Sequence, residues 1–286
     1  MSVSRVLLPL TLAAAALLGA CGSLNPTAGP AGSPRQETVF AVTDAAELIK
    51  FKAGQPSQLL ARRPLKGLPA GERLLGIDYR VARGVLYALS SGGRLYTLDT
   101  ATGQLQPVGS GAPIALPGGR VGFDFNPAAD RIRVVGTDGG NLRLHPDTGA
   151  RAAADPELHY APGDVSQHRS PRIAGAAYTY NKKDDKLTTN YALDLEAGTL
   201  VTQGSVEGRL PAVSPNTGRL FTVGALGTGA VDEAAFDIAD IDNGALAALR
   251  QQGTTRLHAL DLATGRAQLL GTVGDGRPLW GMAIEP

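Results

Sequence analysis

Three aspartates recur in one local setting. Leu75-Gly76-Ile77-Asp78-Tyr79, Val121-Gly122-Phe123-Asp124-Phe125 and Ala234-Ala235-Phe236-Asp237-Ile238 each place an acid after a small residue and an apolar one. Side chains that repeat with an architecture come to equivalent places. Three carboxylates brought together can hold a divalent cation or do acid–base work on a glycoside. The same three can instead accept hydrogen bonds from the backbone of a neighbouring unit, or pair with Arg80. Repetition favours this structural role, because a building device should recur and a catalytic one need not.

The densest polar cluster follows the second of these segments. Asp130-Arg131-Ile132-Arg133 and Asn141-Leu142-Arg143 read as two strands, with Arg131 and Arg133 on one face and Arg143 on the next strand. Guanidinium forks beside Asn126 and Asn141 suit a carboxylate or phosphate ligand. The competing expectation, which we favour, is an ion-pair network with Asp124, Asp130 and Asp138 that fixes the local fold. The four histidines, His145, His159, His168 and His258, share no ligand spacing and are expected in surface or turn roles. Trp280, Tyr87, Tyr96, Tyr178 and Tyr191 could stack on sugars, but at strand spacing packing is the expected role. No nucleophile elbow, phosphate loop or dinucleotide fingerprint is present.

These residues sit on a repeating scaffold. The first-element glycines, with Ala235 in that role, fall at 76, 122, 175, 235 and 281, and weaker copies surround Gly175 and Gly281. A second element reads Leu95-Tyr96-Thr97-Leu98-Asp99-Thr100-Ala101-Thr102-Gly103. It returns at Leu257–Gly265, at Asn190–Gly198, and at Leu142–Gly149 with His145 in place of the acid. Intervals of 46 to 60 residues with alternating short strands indicate β-propeller blades. The Asp-x-x-Thr-Gly end predicts a hairpin, in which Asp binds backbone amides and Gly takes positive φ.

One first element, Leu279–Ile284, lies at the C-terminus, while Thr38–Ala61 supplies later strands without a first one. Pairing them closes the ring and hides two strand edges. The fold class expected is therefore all-β, a propeller of five blades: the composite one, then roughly Arg73–Gly109, Arg120–Ala153, Arg172–Gly224 and Ala234–Val273. Six is the alternative count, because the fourth unit is long and Thr217–Phe221 resembles an extra hairpin. A pair of β-sandwiches is the structural runner-up.

Composition narrows the function classes. The 27 Lys and Arg balance 26 Asp and Glu, which leaves no electrostatic footprint for nucleic acid. The single cysteine, Cys21, excludes intrachain disulfides and thiolate metal clusters. It ends a short apolar run, in Leu18-Gly19-Ala20-Cys21, which resembles a bacterial lipobox. The expectation is a lipoprotein signal peptide over 1–20, then a lipidated Cys21 with a flexible, Pro-, Gly- and Ser-rich linker to residue 37, then one propeller over 38–286. Acyl chains such as palmitate would then anchor the protein without a spanning helix. Gly22 rather than Asp after the cysteine favours the outer membrane, facing the periplasm.

Gly122-Phe123-Asp124-Phe125-Asn126-Pro127, continuing Ala128-Ala129-Asp130-Arg131-Ile132-Arg133-Val134-Val135 to Asn141-Leu142-Arg143, resembles the bacterial domain of unknown function 4394. Ala176-Ala177-Tyr178, Leu226-Gly227 and Leu257–Asp261 also fit, so the resemblance spans about Thr38 to Pro286. It implies a secreted or envelope propeller-like domain and no particular activity. Where a typical member has Tyr-Thr-Asn, this chain has Tyr178-Thr179-Tyr180-Asn181. The expected function is a non-catalytic, lipid-anchored, monomeric propeller that binds a protein or glycan. The alternative is a hydrolase of a glycan or similar polymer, using carboxylates at the propeller mouth. The one cofactor considered is a divalent cation on the propeller axis.

Overall fold

The computed structural model describes Met1 and residues 35–286, so Cys21 and nearly all of the expected signal peptide lie outside the described residues. Chain order gives β1 (Thr38–Thr43), β2 (Glu47–Lys52) and β3 (Leu59–Pro64) in the first blade. The second holds β4 (Leu74–Arg80), β5 (Val85–Ser90), β6 (Leu95–Leu98) and β7 (Leu105–Pro107). The third holds β8 (Val121–Asn126), β9 (Arg131–Gly136), β10 (Asn141–Leu144) and β11 (Arg151–Ala154). A short β12 (His159–Tyr160) precedes the fourth blade of β13 (Ile173–Tyr178), β14 (Asn190–Asp194), β15 (Thr199–Gln203) and β16 (Arg219–Ala225). The fifth holds β17 (Glu233–Ile238), β18 (Ala245–Gln251), β19 (Thr254–Leu260) and β20 (Ala267–Thr272), and β21 (Leu279–Ile284) ends the chain.

These strands form five sheets, one per blade, so the protein is a five-bladed β-propeller. The sixth-blade alternative fails because the segment that resembles an extra hairpin is the start of β16, the fourth strand of blade four. That blade's length comes from its loops and from β12, which adds in parallel to the outer edge of β16. Closure is as expected. β21 runs antiparallel to β1, with Val39 opposite Ile284, Ala41 opposite Met282 and Val42 opposite Gly281.

The repeated sequence elements have distinct physical causes. A side chain at Gly122 would place Cβ 2.6 Å from the Ala176 amide nitrogen, and one at Gly281 would lie 2.8 Å from that of Ile77. Inner strands thus approach one another too closely for most residues at this position. The second element forms the expected hairpin: Asp99 Oδ1 accepts from the Ala101 and Thr102 amides, and Gly103 has φ +74°.

The apolar core is divided among the spaces between adjacent blades. Four of these hold twelve to fifteen buried apolar residues each. The space between blades three and four holds eight, several of them alanine or valine. Polar side chains fill what remains there.

Candidate functional site

Asp78, Asp124 and Asp237 do converge on the propeller axis. Each offers an oxygen within 4.8 Å of the other two, and all three are buried. The inner strands β4, β8, β13, β17 and β21 surround the axis in that order. Asp78 Oδ2 accepts the Phe125 amide of the next blade at 2.8 Å. Asp124 accepts the Tyr178 amide at 3.3 and 3.4 Å. Asp237 Oδ2 accepts the Ile284 amide at 2.5 Å. The remaining two blades carry Ala177 and Ala283 at this position, read from the inner-strand register. At those steps the following aspartate serves its own neighbour: Asp237 Oδ1 accepts from the Ile238 amide at 2.7 Å, and the Tyr79 amide supports the charge on Asp78. Three carboxylates therefore satisfy five inward amides that have no strand partner on the axis side. Arg80 does not join them; it pairs with Asp130 and Asp147.

Crowding gives this ring unusual titration. Burial first, and then the Asp237 charge, push the Asp78 carboxyl well above the ordinary range. Burial, then the charges of Asp78 and Asp237, do the same to Asp124. Burial pushes Asp237 up to about 7. Buried like charges at this spacing favour proton uptake unless a cation balances them. Between the inner strands, around Gly76, Gly122, Gly175 and Gly281, a cavity of only about 10 Å³ remains, no more than a single water needs. Tyr180 lies where the inner strands end, beside Arg80 and Asn126. Its hydroxyl is pushed up by burial and then by the charges of the three aspartates. Its backbone is clamped by Asn243, which accepts from the Tyr180 amide at 2.7 Å and donates to its carbonyl at 3.0 Å.

The arginine cluster resolves into a buried network with a different acid from those expected. Arg133 and Arg143 face each other across β9 and β10, and both bind Asp155. Arg133 is 1% exposed. Its Nε donates to the Tyr178 hydroxyl at 2.7 Å, Nη1 to Asn141 Oδ1 and Asp155 Oδ2, and Nη2 to Asn216 Oδ1. Asn141 is also tied to Gln203 and Pro156. The expected acids act elsewhere: Asp124 is on the axis, Asp130 holds Arg80, and Asp138 accepts from the Gly118 and Gly140 amides. Asn126 accepts the amides of Ala128 and Ala129, which shapes the β8–β9 turn.

Arg133 thus links four partners across two blades. Replacing it with Lys keeps the charge but forfeits the fork. We expect Arg133→Lys to cost about 2–4 kcal/mol, the scale of a broken buried charge network. A melting temperature lower by several degrees in circular dichroism checks this.

Among the described residues, three cavities lie where the inner strands end. One of about 540 Å³ is lined by residues 35–38, the C-terminal residues 284–286 and the β17–β18 turn, including Glu37, Asp240, Asp242 and Glu285. One of about 440 Å³ holds Arg80, Arg83, Asn126, Asp130 and Tyr180. The third, of about 310 Å³, lies beside Arg131, Arg133, Arg143 and Lys186. Asp155, Lys186, Asn216, Tyr180 and Asn243 escape sequence reasoning as site residues, because no repeat or fixed spacing connects them to the residues they touch.

His258 departs from its expected role, being buried within β19, where burial pushes its imidazole down. Tyr87, Tyr96, Tyr178 and Tyr191 are buried as packing residues. Trp280 lies under two guanidinium groups, with Arg120 Cζ 3.6 Å and Arg73 Cζ 4.4 Å from its ring centroid, so those cations occupy a ring that could have stacked on a sugar.

Comparison with known families gives one match, to the family described as Domain of unknown function (DUF4394), over residues 47–283. No curated protein matches. Among solved structures, the chain is similar to one from a nidogen/laminin complex, at 11% identity and TM-score 0.49, covering 87% of this chain and 98% of that one. A putative 6-phosphogluconolactonase from Bacteroides uniformis is similar at 14% identity and TM-score 0.42, covering 85% and 84%. A structural-genomics protein of unknown function from Bacteroides thetaiotaomicron is similar at 12% identity and TM-score 0.47, covering 84% and 58%. At these values the likenesses carry nothing about activity.

Proposed function

The chain belongs to the DUF4394 family, and we propose that this member is a non-catalytic, lipid-anchored propeller of the cell envelope that binds a ligand on the face where its inner strands end. The use of the three axial aspartates carries the non-catalytic part of this reading. A polymer hydrolase needs paired carboxylates facing an open cleft. Here the convergent carboxylates are buried and spent on the amides of their own and neighbouring blades. The binding part draws on three cavities clustered at one face, of the size range that small-ligand sites occupy.

The test is a thermal-shift screen of sugars, peptides and divalent cations, run beside a glycan-hydrolysis assay on the same preparation. A stabilising ligand with no turnover supports the reading. Turnover of any glycan overturns it.

A hydrolase remains the second reading, and one feature favours it: four side-chain carboxylates line the largest of these three cavities. Three already have partners. Glu37 pairs with Arg35, Glu285 with Lys50, and Asp242 accepts the Gly244 amide. Asp240→Asn would abolish turnover if this cavity were catalytic.

The anchor rests on Leu18-Gly19-Ala20-Cys21. Among the described residues no helix is long and apolar enough to cross a membrane. Cys21→Ser is expected to move the protein from the membrane to the soluble fraction, or to leave an uncleaved precursor. Normal processing together with normal membrane fractionation would refute lipidation. The outer membrane, facing the periplasm, is the proposed location.

A further inference from the structure

We propose that the cavity between blades three and four is a binding site for the phosphate group of a small phosphate monoester. The proposal deepens the binding reading above and rests on it.

The charge of the cavity points to an anion. Arg131, Arg133, Arg143 and Lys186 line it, and no carboxylate does. The buried Asp155 balances Arg133 and Arg143 from outside the lining, one negative charge against two positive ones. Among the described residues no carboxylate pairs with Arg131, whose Nη1 donates only to the Asp130 carbonyl, or with the exposed Lys186. The surplus favours a dianion over a single carboxylate.

Its donors point the same way. Arg133 spends four of its five N–H groups on Tyr178, Asn141, Asp155 and Asn216, leaving one at Nη2. The Tyr178 hydroxyl accepts from Arg133 Nε and also meets the Asn126 side chain. Both side chains are buried and both line the cavity. A buried guanidinium N–H without an acceptor marks a place where an acceptor belongs. Asn216 presents its side-chain amide from a capped turn: Ser214 caps the Pro215–Thr217 helical turn by accepting from the Asn216 backbone amide.

The cavity therefore has a preformed floor of Arg133, Tyr178 and Asn216, and a cationic rim of half-buried Arg131 and exposed Lys186. A tetrahedral dianion matches such a ring of donors. The volume, about 310 Å³, suits a small ester and excludes a folded partner.

Isothermal titration calorimetry on the full-length protein at low salt, with glycerol 3-phosphate, inorganic phosphate, succinate and glycerol, is the test. Glycerol 3-phosphate is expected to bind, glycerol not to bind, and succinate to bind more weakly. The double variant Arg131→Gln/Lys186→Gln should weaken glycerol 3-phosphate binding at least tenfold with the melting temperature unchanged. Asn216→Asp keeps the acceptor for Arg133 and adds a carboxylate to the cavity, so it should fold and lose binding. Absent binding of either phosphate, succinate binding as tightly as glycerol 3-phosphate, or full affinity in the double variant each overturns the proposal. No phosphate binding, together with a different ligand that binds parent and double variant alike, would sink the phosphate site and leave the broader binding reading standing.

Discussion

Deleting Leu279–Pro286 is expected to unfold the entire domain, not to fray one end. β21 is the inner strand of a blade whose other three strands come from the N-terminal side of the chain. Its loss removes a ladder from Val39 to Thr43 and buried Leu279, Met282 and Ile284 from the core between blades one and five. It also removes the Ile284 amide from Asp237, leaving a crowded carboxylate with one donor fewer. At about 1 kcal/mol per hydrogen bond and about 2 kcal/mol per large apolar side chain, the loss is comparable to the ~5–15 kcal/mol that stabilises an ordinary domain. Two strand edges, on β1 and on the inner side of the ring, would lie open to association. The truncated protein should lose its cooperative melt and elute as aggregate in gel filtration. A monomer with an unchanged melting temperature would show that closure contributes little.

The axial ring predicts a protein that is more stable in mild acid than at neutral pH. All three carboxyls are raised in the folded state, chiefly by burial. A raised acid binds its proton more tightly when folded, so its stabilising contribution is complete below its unfolded value and declines as pH rises through the folded one. For Asp237 that window runs from 3.8 to about 7. The difference corresponds to about 4 kcal/mol at most, and for a domain of this size to a melting shift on the order of 10 °C.

Melting temperature should thus fall between pH 5 and pH 8. Asp124→Asn separates this ring from other titrating groups. Its two oxygens share one donor, the Tyr178 amide, so an asparagine oxygen can replace them while the charge is lost. The variant should melt higher than the parent at pH 8 and close to it at pH 5, with a flatter profile. Calcium is the second arm of the same measurement. The ring's oxygens already take five amides, so millimolar calcium at pH 8 is expected to leave the melt unchanged. A rise that disappears in Asp124→Asn would place a cation, not protons, on the axis. A parent whose stability climbs from pH 5 to pH 8 would refute the titration.

The blade architecture was legible because each blade meets the same local demands. Gly76, Gly122, Gly175 and Gly281 recur since four of the five inner strands pass close to a neighbour at this position, and a spacing of about one blade survives in the sequence. Asp99, Asp194 and Asp261 recur since their amide partners lie two or three residues onward, within the same turn. The open ends were legible too, because Leu279–Ile284 carries a pattern that Thr38–Ala61 lacks. In all three cases the interaction is short in sequence or repeats with the fold.

Contacts between blades that do not repeat around the ring left no such trace. Repetition identified Asp78, Asp124 and Asp237 as equivalent, yet only ring closure showed three acids serving five amides, with Ala177 and Ala283 at the other two positions. The arginines of β9 and β10 were recognisable as a polar pair, but Asp155 lies 22 residues beyond Arg133 and Asn216 lies 83 beyond it. Those separations depend on loop lengths, which no periodicity constrains. Tyr180 looked like a one-residue departure in a turn and became a side chain whose hydroxyl feels all three axial charges, held there by Asn243 from blade five. The amino-acid sequence by itself determined the strands, their turns and where the ring must close, since these follow from local hydrogen bonding and repeated packing. Which side chains meet across the blades was decided only by the closed tertiary structure, because burial and charge at those points come from residues that are neighbours in space alone.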